Sequence, residues 1–391
     1  MALHSTGRSD DQRPVALIFR TPLFNASETF VQTHALGLTR YRPLLVGLED
    51  KGNADPALAG RLVVASVGER VRLKLAGDAR ALAARLSPHK PLIVHAHFAT
   101  DGSLALPLAR ALGVKLVTTL HGYDVSRSGG AMLRSGRPSW MLYALRRRRL
   151  QAQGELFVAV SEAIRAKALE RGFPAERTVV HHNGVDLARF DSSGAAPEPG
   201  LILHVGRLVE KKGTRLLLEA LARLGAPGPG EARLVILGDG PLRRPLERQA
   251  AALGLGARVR FLGAQPPVEV ARWMARAWLL AAPSVTAADG DSEGLPTVAI
   301  EAAAASLPAL VSDHGGLAEI VADKASGFVV PEGDVDALAL RLADLLGAPA
   351  LRERMARAAR TIAGQRFDAA RQAAGLESLY DRLIGRDRQC A

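Results

Sequence analysis

Cysteine and aromatic residues are scarce in this chain of 391 residues. Its one cysteine, Cys390, has no second cysteine for an intrachain disulfide, which fits a reducing compartment. Aromatic residues make up 4% of the chain and hydrophobic residues 48%, so we expect cores built of aliphatic side chains. The first residues contain no apolar segment of a secretory signal, and no uncharged apolar run approaches the roughly 20 residues of a transmembrane helix. We therefore expect a cytoplasmic protein.

The excess positive charge lies in the first half of the chain. Residues 1–190 hold 27 Lys+Arg and 15 Asp+Glu, a difference of +12, whereas residues 191–391 hold 24 of each. The densest run is four arginines at 146–149. This charge fits anionic lipid at the inner face of the plasma membrane, and a solvated basic helix face is the alternative. We expect no nucleic-acid partner, because aromatic side chains on which bases stack are few.

Short apolar runs alternate with helical patterns along the chain, which is typical of parallel βαβ units. A stretch rich in Gly, Pro and Ser at 191–200 interrupts the alternation and predicts a linker. The sequence therefore predicts the α/β class, with two Rossmann-like doubly wound domains facing across a cleft. The predicted strands are 15–19, 43–48, 92–98, 115–120 and 156–161 before the linker, and 201–207, 233–240, 259–264, 278–284, 307–312 and 327–331 after it.

Two glutamates, Glu293 and Glu301, stand in the segment DSEGLPTVAIE. The apolar residues before it predict a buried strand, and its proline suits the first turn of a helix. Glu293 is then expected in the strand-to-helix loop and Glu301 about one to two turns into the helix. Free N–H groups between two carboxylates suit a ligand with phosphate and hydroxyls, such as a nucleotide sugar. We also expect Asp289 and Asp291 to raise the pKa of Glu293 if both face inward.

Other charged and glycine-rich turns follow predicted strands. Arg207 and Lys212 in GRLVEKKG flank such a turn and are suited to neutralise a diphosphate, with a solvated basic turn as the alternative. Gly238, in a Gly-Asp-Gly turn, permits close approach of the backbone to a ligand. Gly315 and Gly316 precede a predicted helix whose N–H groups suit phosphate, although a plain turn explains them equally well.

Histidines end two predicted strands of the first half, His97 in HAHF and His121 in TTLHGYD. A histidine at a strand end in a cleft is suited to bind a hydroxyl, and a structural role is the alternative. The pairs His95 with His97 and His181 with His182 lack carboxylate or cysteine partners at recognisable ligand spacing, so we expect no metal. The sequence also lacks a P-loop, a dinucleotide fingerprint and a nucleophile elbow.

Taken in order, these motifs resemble the family 4 retaining glycosyltransferases of GT-B architecture. The resemblance is strong from about Leu156 to Asp336 and looser over the first 150 residues. It implies an acceptor-binding domain at 1–190, a donor-binding domain at 191–365 and a C-terminal helix at 366–391 that packs back toward the first domain. The segments that carry it are VAVSEAIRAKALERGFPAERTVVHHNGVDLARF, HVGRLVEKKG, VILGDGPLR, VRFLG, DSEGLPTVAIEAAA, DHGGLAEIV and SGFVVPEGD.

The resemblance also implies the reaction and the roles of charged residues. A hexose would move from a nucleotide diphosphate sugar to a saccharide with retention, the leaving phosphate helping to accept the acceptor's proton. Glu301 matches the glutamate that binds ribose hydroxyls, and Glu293 matches the one that contacts the donor sugar. Arg207 and Lys212 match the diphosphate cations, with an electrostatic role. His121 matches the histidine that reaches the transferred sugar. No cofactor or metal is implied.

The same resemblance places three further residues at the donor, and Gly238 of the Gly-Asp-Gly turn is predicted with them as a donor-binding residue. Gly294 and Leu295 would offer backbone N–H groups to the phosphate or the sugar. Arg260 lies where the family places its base-contacting segment.

The loop after the first strand, TPLFNASETFV, departs from the Gly-Gly loop of many family members. It is similar to a subset that acts in bacterial exopolysaccharide assembly. Acceptor binding through Asn25, Ser27 or Glu28 is one interpretation, and a helix cap by Ser27 is the other. We therefore predict a peripheral membrane transferase with a lipid-linked saccharide acceptor, acting in exopolysaccharide or cell-surface glycan biosynthesis. A nucleotide-sugar epimerase and a non-catalytic nucleotide-sugar binding protein of the same fold are the alternatives.

Overall fold

The structure is a computed structural model that describes most of the chain. The chain divides into two compact units, each defined by the contacts among its own residues. Cys390 lies outside the described residues, and the predicted domain limits remain predictions. The described residues are 12–25, 28–191, 196–224 and 232–386. One unit contains Met1–Thr119, Arg137–Val158 and Ala373–Ala391, and the other contains Leu120–Gly136 and Ala159–Gln372.

The first sheet has seven strands in the order β3-β2-β1-β4-β5-β6-β7, and its pairs from β3 to β5 are parallel. Up to residue 180 the elements are β1 Val15–Phe19, α1 Thr29–Gly37, β2 Arg42–Gly47, β3 Leu62–Val64, α2 Val67–Ala76, α3 Arg80–Leu86, β4 Pro91–His97, α4 Ala99–Leu112, β5 Lys115–Leu120, α5 Tyr123–Ser126, α6 Gly129–Leu133, α7 Pro138–Gln153, β6 Leu156–Ala159, α8 Glu162–Glu170 and β7 Thr178–Val180.

The second sheet has six parallel strands in the order β10-β9-β8-β11-β12-β13. Its elements, with the two helices that follow, are β8 Leu201–Val205, α9 Thr214–Arg223, β9 Arg233–Leu237, α10 Arg243–Ala252, β10 Val259–Gly263, α11 Pro267–Arg276, β11 Leu279–Ala282, α12 Thr297–Ala304, β12 Ala309–Ser312, α13 Leu317–Ile320, β13 Gly327–Val330, α14 Val335–Gly347, α15 Pro349–Arg366 and α16 Ala369–Ile384.

Both sheets follow from the distribution of apolar residues. All five residues of β1 and all four of β11 are apolar and buried. Strands of a parallel sheet are covered on both faces, so they require continuous apolar runs. The core beside the second sheet joins strand residues such as Leu279 of β11 to helix residues such as Leu217 and Leu221 of α9. The predicted α/β class with two Rossmann-like sheets is confirmed. Among the described residues, none of the helices has the length and apolar character needed to cross a bilayer.

The end of α16 is fixed to the segment just before β2, within one compact unit. Glu377 is fully buried and accepts hydrogen bonds from the backbone N–H groups of Arg40, at 2.7 Å, and Tyr41, at 3.1 Å. The Tyr41 hydroxyl donates to Asp381 at 2.6 Å, and the Arg40 guanidinium pairs with the same carboxylate. Burial, followed by the Asp381 carboxylate, raises the pKa of Tyr41 well above its usual value. These contacts join the C-terminal helix to the segment that enters β2 of the first sheet.

Candidate active site

The loop between β11 and α12 carries a buried carboxylate opposite a lysine. Glu293 is 6% exposed, and its Oε1 lies 2.9 Å from the Nζ of Lys212. Lys212 ends a short turn that follows β8, so two neighbouring strands of the second sheet deliver the two charges to the same edge. Lys212 is the cation paired with Oε1, and no further hydrogen-bond donor to this oxygen is found among the described residues. A buried carboxylate with acceptor capacity to spare is suited to bind a hydroxyl group.

Glu293 is held in the ionised form. Burial by itself would raise its pKa, but the charges of Lys212 and Lys211 outweigh burial and lower the pKa below the usual value. The expectation that Asp289 and Asp291 raise this pKa is therefore wrong. Both aspartates bind the Arg127 guanidinium, with Nη2 at 2.7 Å and 3.4 Å from their carboxylate oxygens, and Asp291 also lies 3.3 Å from Lys211. Both aspartates are thus paired with cations, and neither is among the main influences on the pKa of Glu293.

Glu301 occupies the fifth position of α12 and is partly buried. Burial raises its pKa to about 7, against the opposing effects of the Arg189 charge, a hydrogen bond from Thr297 and the Lys212 charge. Lys212 is thus paired with Glu293 and also lowers the pKa of Glu301, as the smallest of these effects. The two glutamates that the sequence singled out therefore differ in charge state, since Glu293 is ionised and Glu301 is close to half-protonated near neutral pH.

Gly294 makes the closest backbone contact of this loop. A Cβ atom at this position would lie 1.7 Å from the carbonyl oxygen of His121, so only glycine fits. Its own carbonyl accepts from the Ser161 hydroxyl at 3.1 Å and from the Gly316 N–H at 2.8 Å. The loop is thereby fixed on two sides, one of which is the turn that contains Gly315 and Gly316. His121 and Gly294 are brought together, as are Gly294 and Gly316.

His314 is a functional candidate that sequence reasoning missed. Its Nε2 accepts the backbone N–H of Glu293 at 3.1 Å, and its Nδ1 lies 2.7 Å from a carboxylate oxygen of Glu332. Because Nε2 must be an acceptor, Nδ1 carries the proton and donates to Glu332. His314 therefore positions the backbone of Glu293. Its place directly before two glycines, at a strand end, was the available signal.

Of the remaining predicted donor residues, Gly238 and Leu295 lie at the same carboxyl edge of the second sheet, whereas Arg260 is the second residue of β10. Gly238 has φ +145, and a Cβ there would lie 1.8 Å from the carbonyl oxygen of Gly206. Leu295 is buried beside Gly294. Arg207 and Arg260 are exposed, and within the described part of the chain neither forms an ion pair. The structure thus brings together the loop residues and Lys212, while the side chains of the two arginines form no ion pair with them in the described part of the chain.

The predicted acceptor residues lie in the other unit, and Ser27 falls outside the described residues. Asn25 donates to Glu28 at 3.1 Å, while both Glu28 oxygens bind the Arg20 guanidinium at 2.7 Å. Arg20 also lies 2.7 Å from the buried Asp101. Burial raises the pKa of Asp101 to about 6 despite this arginine. Glu28 therefore anchors the loop after β1, a role that the sequence did not suggest because neither Arg20 nor Asp101 belongs to a motif.

A group of three histidines lies at the carboxyl end of β4. His34 from α1 joins His95 and His97, and one ligand nitrogen of each lies within 4.8 Å of the others. The group is joined by hydrogen bonds: His34 Nδ1 to His97 Nε2 at 2.9 Å, His34 Nε2 to Tyr380 Oη at 3.0 Å, His95 Nε2 to Thr119 Oγ1 at 2.6 Å, and His95 Nδ1 to Tyr380 Oη. In this chain of hydrogen bonds His34 and His95, as neutral imidazoles, can each donate once and accept once. His34 was missed because it is distant in sequence.

Family comparisons match nearly the whole described chain. The family model described as "Glycosyltransferase Family 4" matches residues 28–189, and the one described as "Glycosyl transferases group 1" matches residues 187–362. The second of these matches contains the loop with Glu293, the helix with Glu301 and the turn with Lys212.

Curated relatives are similar over about two thirds of this chain. The amylovoran biosynthesis glycosyltransferase AmsK of Erwinia amylovora is 36% identical over 262 residues, which cover 66% of this chain and 62% of the relative. A GDP-mannose-dependent alpha-(1-6)-phosphatidylinositol monomannoside mannosyltransferase of Mycolicibacterium smegmatis is 32% identical over 271 residues, covering 64% of this chain and 67% of the relative. Two putative colanic acid biosynthesis glycosyltransferases WcaL, of Salmonella typhimurium and Escherichia coli, are also similar to this chain. The chain matches 60–62% of the length of AmsK and of these two relatives.

Solved structures share the fold. The structure of Anabaena Alr3699/HepE in complex with UDP superposes with a TM-score of 0.75 at 21% identity, covering 94% of this chain and 100% of that chain. A glycosyltransferase structure from Rickettsia africae gives a TM-score of 0.74 at 17% identity, covering 95% of this chain and 99% of the other. At these identities the likeness concerns the architecture of the two sheets.

Proposed function

Because this chain belongs to the family 4 glycosyltransferases of GT-B architecture, we propose that it transfers a hexose, with retention, from a nucleotide diphosphate sugar to a saccharide. The observation that carries this proposal is the buried Glu293–Lys212 pair, with Glu301 on the helix that follows. A carboxylate, a cation and a second carboxylate along one sheet edge match a sugar, a diphosphate and a ribose in that order. Names of relatives in amylovoran and colanic acid biosynthesis support a role in exopolysaccharide or cell-surface glycan assembly.

The donor would bind at the carboxyl edge of the second sheet, where ligands bind in open α/β sheets. Complexes of the Anabaena neighbour with UDP and UDP-glucose support a nucleotide sugar as donor. Lys212 and the exposed Arg207 would neutralise the diphosphate, Glu301 would accept the ribose hydroxyls, and Gly294 and Leu295 would direct N–H groups at the phosphate or sugar. Gly238 would allow the ligand to approach the backbone, and Arg260 would contact the base.

Catalysis would be largely electrostatic. Glu293 accepts hydrogen bonds from the sugar hydroxyls and fixes the anomeric carbon relative to the acceptor. Lys212 and Arg207 stabilise the negative charge that develops on the leaving diphosphate, the type of effect for which removal of one donor costs about 10²–10³ in rate. The leaving phosphate would take the acceptor hydroxyl's proton on the face where the new bond forms. In this scheme no side chain is a nucleophile and lysine and arginine take the place of a metal ion.

The acceptor would enter through residues outside the donor edge. His121, whose carbonyl contacts Gly294, is placed beside the donor loop and would bind the transferred sugar. Asn25 and Ser27 remain candidates for the acceptor saccharide, whereas Glu28 would shape the loop through Arg20. The basic character of residues 1–190 supports a lipid-linked acceptor and a peripheral location at the cytoplasmic face of an anionic membrane.

Calorimetric titration with nucleoside diphosphates tests the donor site. We expect one diphosphate to bind the wild type and to raise its unfolding temperature, since a ligand at 100 times its Kd stabilises a protein by about 2.7 kcal/mol. Lys212→Met should weaken this binding. The control Lys324→Met, in the exposed turn before β13, should leave the binding unchanged.

Product analysis with the matching nucleotide sugar then separates the alternatives. A transferase forms glycoside only when a saccharide acceptor is present. Conversion of the donor to an isomer without acceptor would indicate an epimerase, and binding with neither turnover nor hydrolysis would indicate a binding protein.

A further inference from the structure

Helix α2 turns apolar residues outward. Val67, Val71 and Leu75 are spaced four residues apart, so they form one stripe, and all three are exposed, with Leu75 80% accessible. The buried hydrophobic residue of the helix is Leu73. A helix that packs on a core normally buries its apolar stripe and exposes polar residues, so α2 has the reverse arrangement. The helix is nevertheless well formed, because Ser66 and Glu69 make a capping box at its start.

Helix α7 lies beside the end of α2 and continues its apolar surface. The Arg146 guanidinium donates to the carbonyl oxygens of Lys74 at 2.9 Å and of Leu75 at 3.4 Å. The residue before it, Leu145, is 75% exposed, and Met141, one turn earlier, is exposed as well. The two helices belong to the same compact unit. We call their exposed side the α2–α7 surface, which is formed by Val67, Val71, Arg72, Leu75, Met141, Leu145, Arg148 and Arg149.

The charged residues on α2 and α7 themselves are almost all basic. Helix α2 carries Arg70, Arg72 and Lys74, and α7 carries four arginines at 146–149, which makes seven basic residues. The acidic residue on the two helices is Glu69, and it is engaged by the capping box and by an ion pair with Arg85 at 3.3 Å. The difference of seven and one is +6, half of the net charge of +12 of the whole chain.

We infer that the α2–α7 surface docks on an anionic lipid bilayer. Its leucines, valines and methionine would enter the boundary between headgroups and acyl chains, about 5–10 Å deep, while the arginines meet the lipid phosphates. A nucleic acid would match the charge but leave the apolar stripe in contact with a polar backbone. The bilayer is the partner that matches both features. This inference deepens the proposed membrane location by naming the residues that make the contact.

Vesicle flotation with the full-length chain tests the inference. Vesicles contain phosphatidylcholine with phosphatidylglycerol, and parallel samples contain phosphatidylcholine alone. We expect binding to the anionic vesicles only. The double variant Leu75→Ser/Leu145→Ser should bind about tenfold or more weakly, because two large apolar side chains no longer leave water. Arg148→Gln/Arg149→Gln should bind about 25-fold more weakly, since each basic residue at the surface contributes about fivefold.

A matched control uses exposed apolar residues of the other unit. Val268 on α11 and Leu340 on α14 are 56% and 58% exposed, and the double change to serine there should leave vesicle binding unchanged. The inference would be overturned if the Leu75/Leu145 variant bound vesicles as well as the wild type does. It would also be overturned if the Val268/Leu340 control lost as much vesicle binding as the Leu75/Leu145 variant, or if the wild type bound both kinds of vesicle equally. A change of the Leu75/Leu145 variant from dimer to monomer with unaltered vesicle binding would overturn it as well and would assign the surface to a second copy of the chain.

Vesicle binding is measured without donor or acceptor, so it is independent of the proposed chemistry. Glu301→Ala should float with anionic vesicles as the wild type does. The Leu75/Leu145 variant should bind nucleoside diphosphates as the wild type does. Failure of the docking surface therefore leaves the donor site standing, and failure of the donor site leaves the docking surface standing.

Discussion

Replacing Glu301 by glutamine should flatten the dependence of stability on pH between about 4.5 and 7. The carboxyl group has a pKa of 4.5 in an unfolded chain and about 7 in the folded protein, mainly because it is buried. Between these values the folded state keeps a proton that the unfolded state has released. The free energy of unfolding therefore falls as pH rises through this window. A difference of 2.5 pKa units corresponds to about 3 kcal/mol of stability that the wild type loses.

Urea unfolding at a series of pH values measures this term. Relative to the wild type, Glu301→Gln should gain about 3 kcal/mol between pH 4.5 and pH 8, because glutamine has the same shape and no titration. Glu293→Gln provides a control of opposite sign. The pKa of Glu293 is lowered, so its contribution is present above 4.5 and disappears as pH falls. Parallel curves for the wild type and Glu301→Gln would refute the assignment of a buried, proton-retaining carboxyl at this position.

Three further substitutions test how the site and the helix contacts are built. Gly294→Ala places a methyl group 1.7 Å from the His121 carbonyl, so we expect a loss of about 1–3 kcal/mol in urea unfolding and weaker nucleotide binding by calorimetry. His314→Ala leaves the buried N–H of Glu293 unpaired, which should cost about 1–3 kcal/mol and lower kcat; wild-type kcat would show that this hydrogen bond does not position the loop. Glu377→Leu leaves two backbone N–H groups unpaired, for about 2–6 kcal/mol, and an unchanged Tm would contradict that account.

Most strands of the two sheets could be predicted from the sequence because they are continuous apolar runs. The strands at 15–19 and 115–120 were placed at their observed limits. Most later strands end earlier than predicted, such as β9, which ends at Leu237 where 240 was expected. The hydrophobic pattern cannot show where the hydrogen bonds between strands stop, since Gly238, the residue after β9, does not interrupt the apolar run. Short β3 and β7 were missed because three residues carry too little periodicity.

The site was predicted where chemistry lies in one segment and was missed where distant residues meet. Glu293 and Glu301 were found because a single loop and helix carry both. Asp289 and Asp291 were given the wrong effect, since their partner Arg127 lies far away in sequence. His314 escaped notice for a similar reason, as its role is a hydrogen bond to a backbone group. Such contacts depend on how strands stand side by side.

The central claim is that Glu301 and its neighbours hold the donor for transfer. The most direct measurement is the rate of sugar transfer from the nucleotide sugar to a saccharide acceptor by Glu301→Ala, with the exposed Glu353→Ala on α15 as control. We predict that the Glu301 variant forms no glycoside above background while the control keeps the wild-type rate. A wild-type rate for Glu301→Ala in a folded protein would contradict the account.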